Sequence, residues 1–178
     1  MGTAALATPA AQPAAEAVDA LRNRLDELRH LIATLPADVY SVRPSAVSGA
    51  VGAHVRHVLD HVRSLVEASS SRVLSYDHRT RGTAVERDPS VAVRELMRLD
   101  AALERFHTRE LDELIAVEIV MSSSGLSIAG TSTLARELAF VMSHTIHHQA
   151  IIALLLELQG REVAHPRFGL APATPSRG

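Results

Sequence analysis

Six histidines at helical spacing are the residues best suited to chemistry in this sequence. His144, His147 and His148 interrupt the apolar stretch SHTIHHQAII, and His54, His57 and His61 fall within HVRHVLDH. At about 100° per residue, His144 and His148 share one helix face with Leu134, Val141, Ile152 and Leu155, while His147 falls at its edge. His54, His57 and His61 form a ridge along the flank of another apolar stripe. A single histidine on an apolar face is ordinarily satisfied by a carbonyl or a carboxylate. An i,i+4 pair together with a ridge asks for more, because each buried imidazole without a partner costs about 1 kcal/mol or more. A divalent cation would partner them all. The His-x-x-x-His pair offers two nitrogens, and a histidine from a facing helix makes a three-nitrogen set with room for water or substrate. Such an ion lowers the pKa of bound water or binds an anionic sulfur ligand.

The elements that must carry these residues follow from periodicity. Val18, Leu21, Leu25, Leu28, Ile32 and Leu35 mark a first long helix stopped by Pro36. A second spans about 48–68, with Val51, Val55, Val58, Val62 and Leu65 on its apolar face. After a polar stretch of about twenty residues, long for a compact domain, Val93, Leu96, Leu103 and Phe106 predict a third helix over about 90–114. AVEIVMSSSGLSIAG reads as two strands around a Ser/Gly turn. The last helix starts at a Ser132 or Thr133 cap and runs to about Gln159, with Gly160 as its stop. The expectation is an all-α four-helix bundle over residues 16–160, with a short β-hairpin between its third and fourth helices. Residues 1–15, rich in Ala and Pro, and the Pro/Gly-rich tail 161–178 are expected to lack regular structure, with Phe168 available to pin the tail.

Composition narrows the chemistry. The 178 residues include no cysteine and no lysine, which excludes disulfides, thiolate nucleophiles, sulfur-ligated metals and Schiff-base chemistry. Any metal must be held by nitrogen and oxygen. A net charge of −2, with both signs interspersed, offers no footprint for nucleic acid or an anionic membrane. The start lacks the pattern of a signal peptide and no apolar run of membrane-spanning length stands out, so a cytoplasmic protein is expected.

The segments HVRHVLDHV and HTIHHQAIIALLLELQG resemble the DinB-like family, four-helix bundles of up-down-down-up order whose members include metal-dependent, often thiol-dependent, enzymes. The resemblance covers about residues 16–160 and implies His57, His144 and His148 as metal ligands, with His61 the second choice for the ligand on the second helix. Where many relatives continue with Arg-Gly-Gln, this chain has Gln149, Ala150 and Ile151. Three imidazoles suit zinc, nickel, iron(II) or copper(II), and zinc, nickel or iron is the expectation; the substrate is expected to be a small molecule, and the resemblance further implies a low-molecular-weight thiol cosubstrate such as mycothiol or bacillithiol. Relatives are often dimers, which makes a homodimer one expectation. Beside the ion, His61 and His147 are candidate general bases for hydrolysis or group transfer. The competing reading is a metal-binding or sensing module whose histidines fill the ion's shell.

Three other constellations are weaker. Tyr76, Asp77, His78 and Arg79 form a cluster that could contact an anionic substrate. Glu27/His30 and Glu104/His107 match the Glu-x-x-His spacing of dinuclear carboxylate proteins, a match expected by chance with ten histidines in the chain. GLSIAG approximates a nucleophile elbow around Ser127, but its second glycine is displaced and a parallel sheet to present the serine is missing.

Overall fold

In the computed structural model, which describes residues 11–45, 47, 49–77 and 81–175, the first helix begins where alanine dominates. α1 spans Ala11–Ala33, so residues 11–15, expected to lack structure, are helical, and residues 1–10 lie outside the described residues. Alanine is the best helix former, Pro13 sits in the first turn where its missing N–H is no loss, and Ala14 is buried against the core. A short α2, Ala37–Ser41, buries Val39 and Tyr40, and the Tyr40 hydroxyl donates to the Val85 carbonyl at 2.7 Å.

α3, Val51–Ser71, places Val51, Val55, Val58, Val62 and Leu65 in the core as its periodicity requires. It ends at Arg72, which takes a left-handed conformation with φ +61°. α4, Pro89–Leu103, is capped by Asp88, whose side chain accepts from the Ser90 N–H at 2.8 Å. The helix expected to reach residue 114 stops at Leu103 and tightens into a 3₁₀ turn over Glu104–Thr108. That tightening carries Phe106 into the core, and Arg109 then ties the returning chain to the Ser69 carbonyl at 2.5 Å.

The expected hairpin is present: β2, Leu114–Val120, pairs antiparallel with β3, Ser127–Thr133. A third strand was not legible in the sequence. β1, Val73–Ser75, pairs parallel with β2, so the fold is mostly helical with a three-stranded sheet of order β1-β2-β3 rather than all-α. Three residues inside a polar connection are too few to show a period of two. Ile115 and Val117 face the core while Ala116 and Glu118 face out, as the pleat dictates.

α5, Leu134–Glu157, starts at Thr133, whose hydroxyl accepts from the Arg136 N–H at 3.2 Å. α1 and α3 each pack against both α4 and α5. α5 is also long and apolar enough to cross a membrane by length and composition, with a mean hydropathy of 1.4 over its most apolar window, contrary to the expectation that no such run exists. Its apolarity is accounted for by Leu138, Val141, Ile152, Leu155 and Leu156 buried against its neighbours. Among the described residues the tail makes turns only, held by Phe168 in the core and by Arg24, which donates to the Arg167 and Leu170 carbonyls at 3.2 Å each.

Candidate metal centre

The two histidine segments meet where α3 packs on α5. His144 Nε2 lies 3.0 Å from His57 Nε2 and 3.2 Å from His148 Nε2. His61, buried, donates from Nδ1 to the His57 carbonyl at 3.0 Å, which leaves the lone pair on Nε2. Its ring stacks on His144 with centroids 4.0 Å apart. His57, His61 and His144 each offer a ring nitrogen within 4.8 Å of the other two, a triad that could hold a metal ion.

The donor set fits a small divalent cation. Zinc–nitrogen bonds of about 2.0–2.1 Å place tetrahedral ligand atoms roughly 3.3 Å apart, close to the separations between the Nε2 atoms. The proton bookkeeping points the same way: one nitrogen has either one proton or one lone pair, so His144 Nε2 cannot make two well-directed hydrogen bonds to the two Nε2 atoms it faces. A cation satisfies all of these lone pairs at once. Electrostatics keep them available. Burial, then the neighbouring imidazoles of His144, His54, His147 and His61, hold the His148 pKa down to about 3. Burial, His147 and Arg56 also lower that of His54.

α3 is held in place by charge. Arg56 pairs with Glu86 at 2.8 Å and with Asp60, and Arg63 joins Asp60 at 2.9 Å to Glu95 at 2.8 Å. Hydrogen bonding from Arg98 is the foremost cause that holds the Glu95 carboxyl down to about 2, with Arg63 adding to it against the cost of burial.

The remaining expected residues divide. Tyr76 joins the site, its ring stacked on His61 at 4.8 Å and 12°. Asp77 turns to the hairpin, where its carboxylate accepts from the Val120 N–H at 2.8 Å. His147 is exposed at the margin, its ring centroid 5.3 Å from that of His148. His78 and Arg79 lie outside the described residues. The Glu-x-x-His pairs do not converge: Glu27 bonds Arg24, His30 bonds Asp26, and His107 bonds Asp19. Ser127 is a hairpin residue that donates to Glu118 at 2.9 Å. A cavity of about 400 Å³ between α1 and the tail, lined by Asp26, His30, Leu31, Val163 and Phe168 among others, lies apart from the six histidines.

Sequence reasoning missed Glu137. It is fully buried and accepts from the Tyr76 hydroxyl at 2.9 Å, the Ser132 hydroxyl at 2.6 Å and Arg136 at 2.7 Å. One carboxylate thus ties the end of β1, the end of β3 and the first turn of α5 to the residue stacked on His61. Burial and the Glu137 charge push the Tyr76 pKa up, so its hydroxyl stays a donor. The available signal was spacing, since Glu137 precedes His144 by seven residues and shares its face. Phe140, with its ring 5.6 Å from His144 and 5.1 Å from Tyr76, was overlooked for the same reason.

Fold and site together define a mostly helical protein with a histidine-lined candidate metal centre between two of its long helices. The chain belongs to the DinB family, whose sequence model matches residues 11–171. A crystal structure of a DinB-like protein of Bacillus subtilis, YjoA, is similar in fold at a TM-score of 0.58 and 20% identity, over 82% of this chain and 92% of that one. No curated protein matches the sequence.

Proposed function

We propose that the protein is a mononuclear metalloenzyme in which His57, His144 and His148 hold a divalent ion and a small molecule undergoes hydrolysis or thiol-dependent group transfer. The observation that carries this reading is the meeting of Nε2 atoms at His144, 3.0 Å from that of His57 and 3.2 Å from that of His148, with burial foremost in holding His148 neutral. When bound, the ion supplies Lewis-acid activation of water or of a thiol; zinc, nickel and iron(II) all suit imidazole ligands. The chain has no cysteine, so the thiol is a cosubstrate of low molecular weight.

The chain's own residues supply orientation and proton handling. His61 Nδ1–H is anchored on the His57 carbonyl, so its Nε2 is the atom that takes a proton from the nucleophile. Tyr76, fixed by Glu137, holds the His61 ring between itself and His144. His147, exposed at the margin, passes protons to solvent. Tyr76 contacts the substrate, and the segment bearing Asp77, His78 and Arg79 contributes to the substrate-binding edge. The packing of α1 and α3 each against α4 and α5 supports a four-helix bundle, to which the proposal adds an up-down-down-up order. Pairing of two copies and a cytoplasmic location complete the proposal.

A second reading has its own observation. His61 offers a ring nitrogen within 4.8 Å of those offered by His57 and His144, and four imidazoles around one ion would make a closed, non-catalytic binding site. The test is turnover of activated esters and electrophiles, with and without added thiol, by protein loaded with zinc, nickel or iron(II). The enzyme reading expects turnover by the loaded wild type and a loss of at least a hundredfold in His57→Ala. Loaded protein with no turnover on any of these classes would contradict it in favour of the closed site.

A further inference from the structure

His148 faces a second histidine on the side away from His144. Its Nε2 lies 3.2 Å from His144 Nε2, and its Nδ1 lies 3.0 Å from His54 Nδ1. His148 is buried and His54 partly so, with ring centroids 5.2 Å apart. Neither nitrogen of His148 is therefore turned to bulk water, and whichever carries the proton must donate it to another imidazole.

We infer that His54 is a positioning residue for the metal centre: its Nδ1 accepts the Nδ1–H of His148 and so fixes His148 in the tautomer whose Nε2 lone pair faces His57 and His144. This rests on the metal-binding reading above and extends it. A ligating histidine generally donates its other N–H to a carboxylate, carbonyl or water, which sets the tautomer and raises ligand basicity. Here an imidazole takes that place. To accept at Nδ1, a neutral His54 must carry its own proton on Nε2. The chain leaves space for that nitrogen: a Cβ on Gly49 would stand 2.9 Å from His54 Nε2, so glycine at 49 keeps the ring in the orientation that presents Nδ1 to His148. The His54 ridge position, unexplained by the three-ligand reading, thereby acquires a task.

Two measurements on the full chain test this. The first is zinc affinity by competition with a chromophoric chelator for wild type, His54→Phe and His54→Asn. Phenylalanine keeps the ring's bulk without an acceptor, and the asparagine Oδ1 can replace Nδ1. The expected result is one zinc per chain in all three, with affinity 10–100-fold weaker in His54→Phe and restored to within about threefold of wild type in His54→Asn. Affinity of His54→Phe within twofold of wild type would overturn the inference. A wild type that takes no zinc would overturn the metal-binding reading itself and this inference with it. The second is the tautomer, read by ¹⁵N correlation spectra of the zinc-loaded wild type, independent of whether a variant folds. Protonated Nδ1 on His148 and unprotonated Nδ1 on His54 are expected; a proton on His54 Nδ1 would overturn the assignment.

Discussion

The α1–α4 and α3–α5 contacts belong to one core but are built from different materials. Between α1 and α4 the buried positions are Leu21, Leu25, Leu28, Leu96, Leu99 and Leu103, all at most 1% exposed. The polar groups there stand at the rim as opposite charges, Arg22 reaching Asp100 at 2.8 Å and Glu104 at 3.1 Å. Between α3 and α5 the corresponding heptad-related positions are imidazoles that face one another, with a buried carboxylate, Glu137, one heptad before His144. Leucine against leucine satisfies itself by excluding water. Imidazole against imidazole is more demanding, because each facing Nε2 carries either one proton or one lone pair and His144 Nε2 faces two others, an arrangement that could hold a metal ion. The contrast sets an apolar contact beside one that could hold a metal ion within the same core.

The comparison breaks most visibly on metal removal. Stripping the ion with a chelator is expected to lower wild-type stability by about 4 kcal/mol relative to protein held at a free-ion concentration a thousandfold above Kd, and to leave His144→Ala/His148→Ala unchanged; thermal unfolding scans check it. On the other side of the core, Leu25→Ala should cost roughly 2–5 kcal/mol by the cavity it opens while metal stoichiometry stays intact, read by denaturant unfolding beside elemental analysis. An equal loss of metal in Leu25→Ala would erase the distinction between the two contacts.

Acid acts on the histidine side through His148. His148 has a folded pKa of about 3 against an ordinary value of about 6.5, so between those limits the unfolded chain binds the proton and the folded chain does not. The stability owed to neutral His148 is therefore present above about pH 6.5 and falls as pH drops towards 3, by up to about 1.4 kcal/mol per unit. His148→Gln should flatten that slope in metal-free protein, as unfolding at a series of pH values would show. Tyr76→Phe removes one of the donors to buried Glu137 and is expected to cost about 1–3 kcal/mol in the same assay. The smallest effect belongs to the rim: Asp100→Ala, at a partly exposed ion pair, should cost about 0.5 kcal/mol and diminish further in salt.

How much of this was legible depended on the length scale of each signal. The four long helices announce themselves through periodicity, since Val18 to Ile32 and Val51 to Leu65 repeat over many turns. The hairpin showed through its Ser/Gly turn, and the convergence of His57 and His144 through matching positions on two apolar faces. β1 was too short to carry a pattern. The end of α4 depended on Phe106 swinging inward, a tertiary preference that overrides a continuing helical repeat. The bond from the Val120 N–H to Asp77 was equally hidden, because it depends on the register of β1 on β2. Glu137 is the instructive omission: it sits at helical spacing from a recognised histidine, but its partner Tyr76 comes from another element, and one helix's periodicity cannot name that partner; His54 was visible on its ridge, but its partner His148 was hidden for the same reason.

The central claim is that the α3–α5 histidines hold a metal ion. Elemental analysis of protein purified without an affinity tag, before and after exposure to zinc, nickel and iron(II), tests it most directly when set beside His144→Ala/His148→Ala. About one ion per chain, absent from the variant, is the result expected. No ion in the wild type under any of these conditions would contradict the claim and leave the α3–α5 histidines as packing residues.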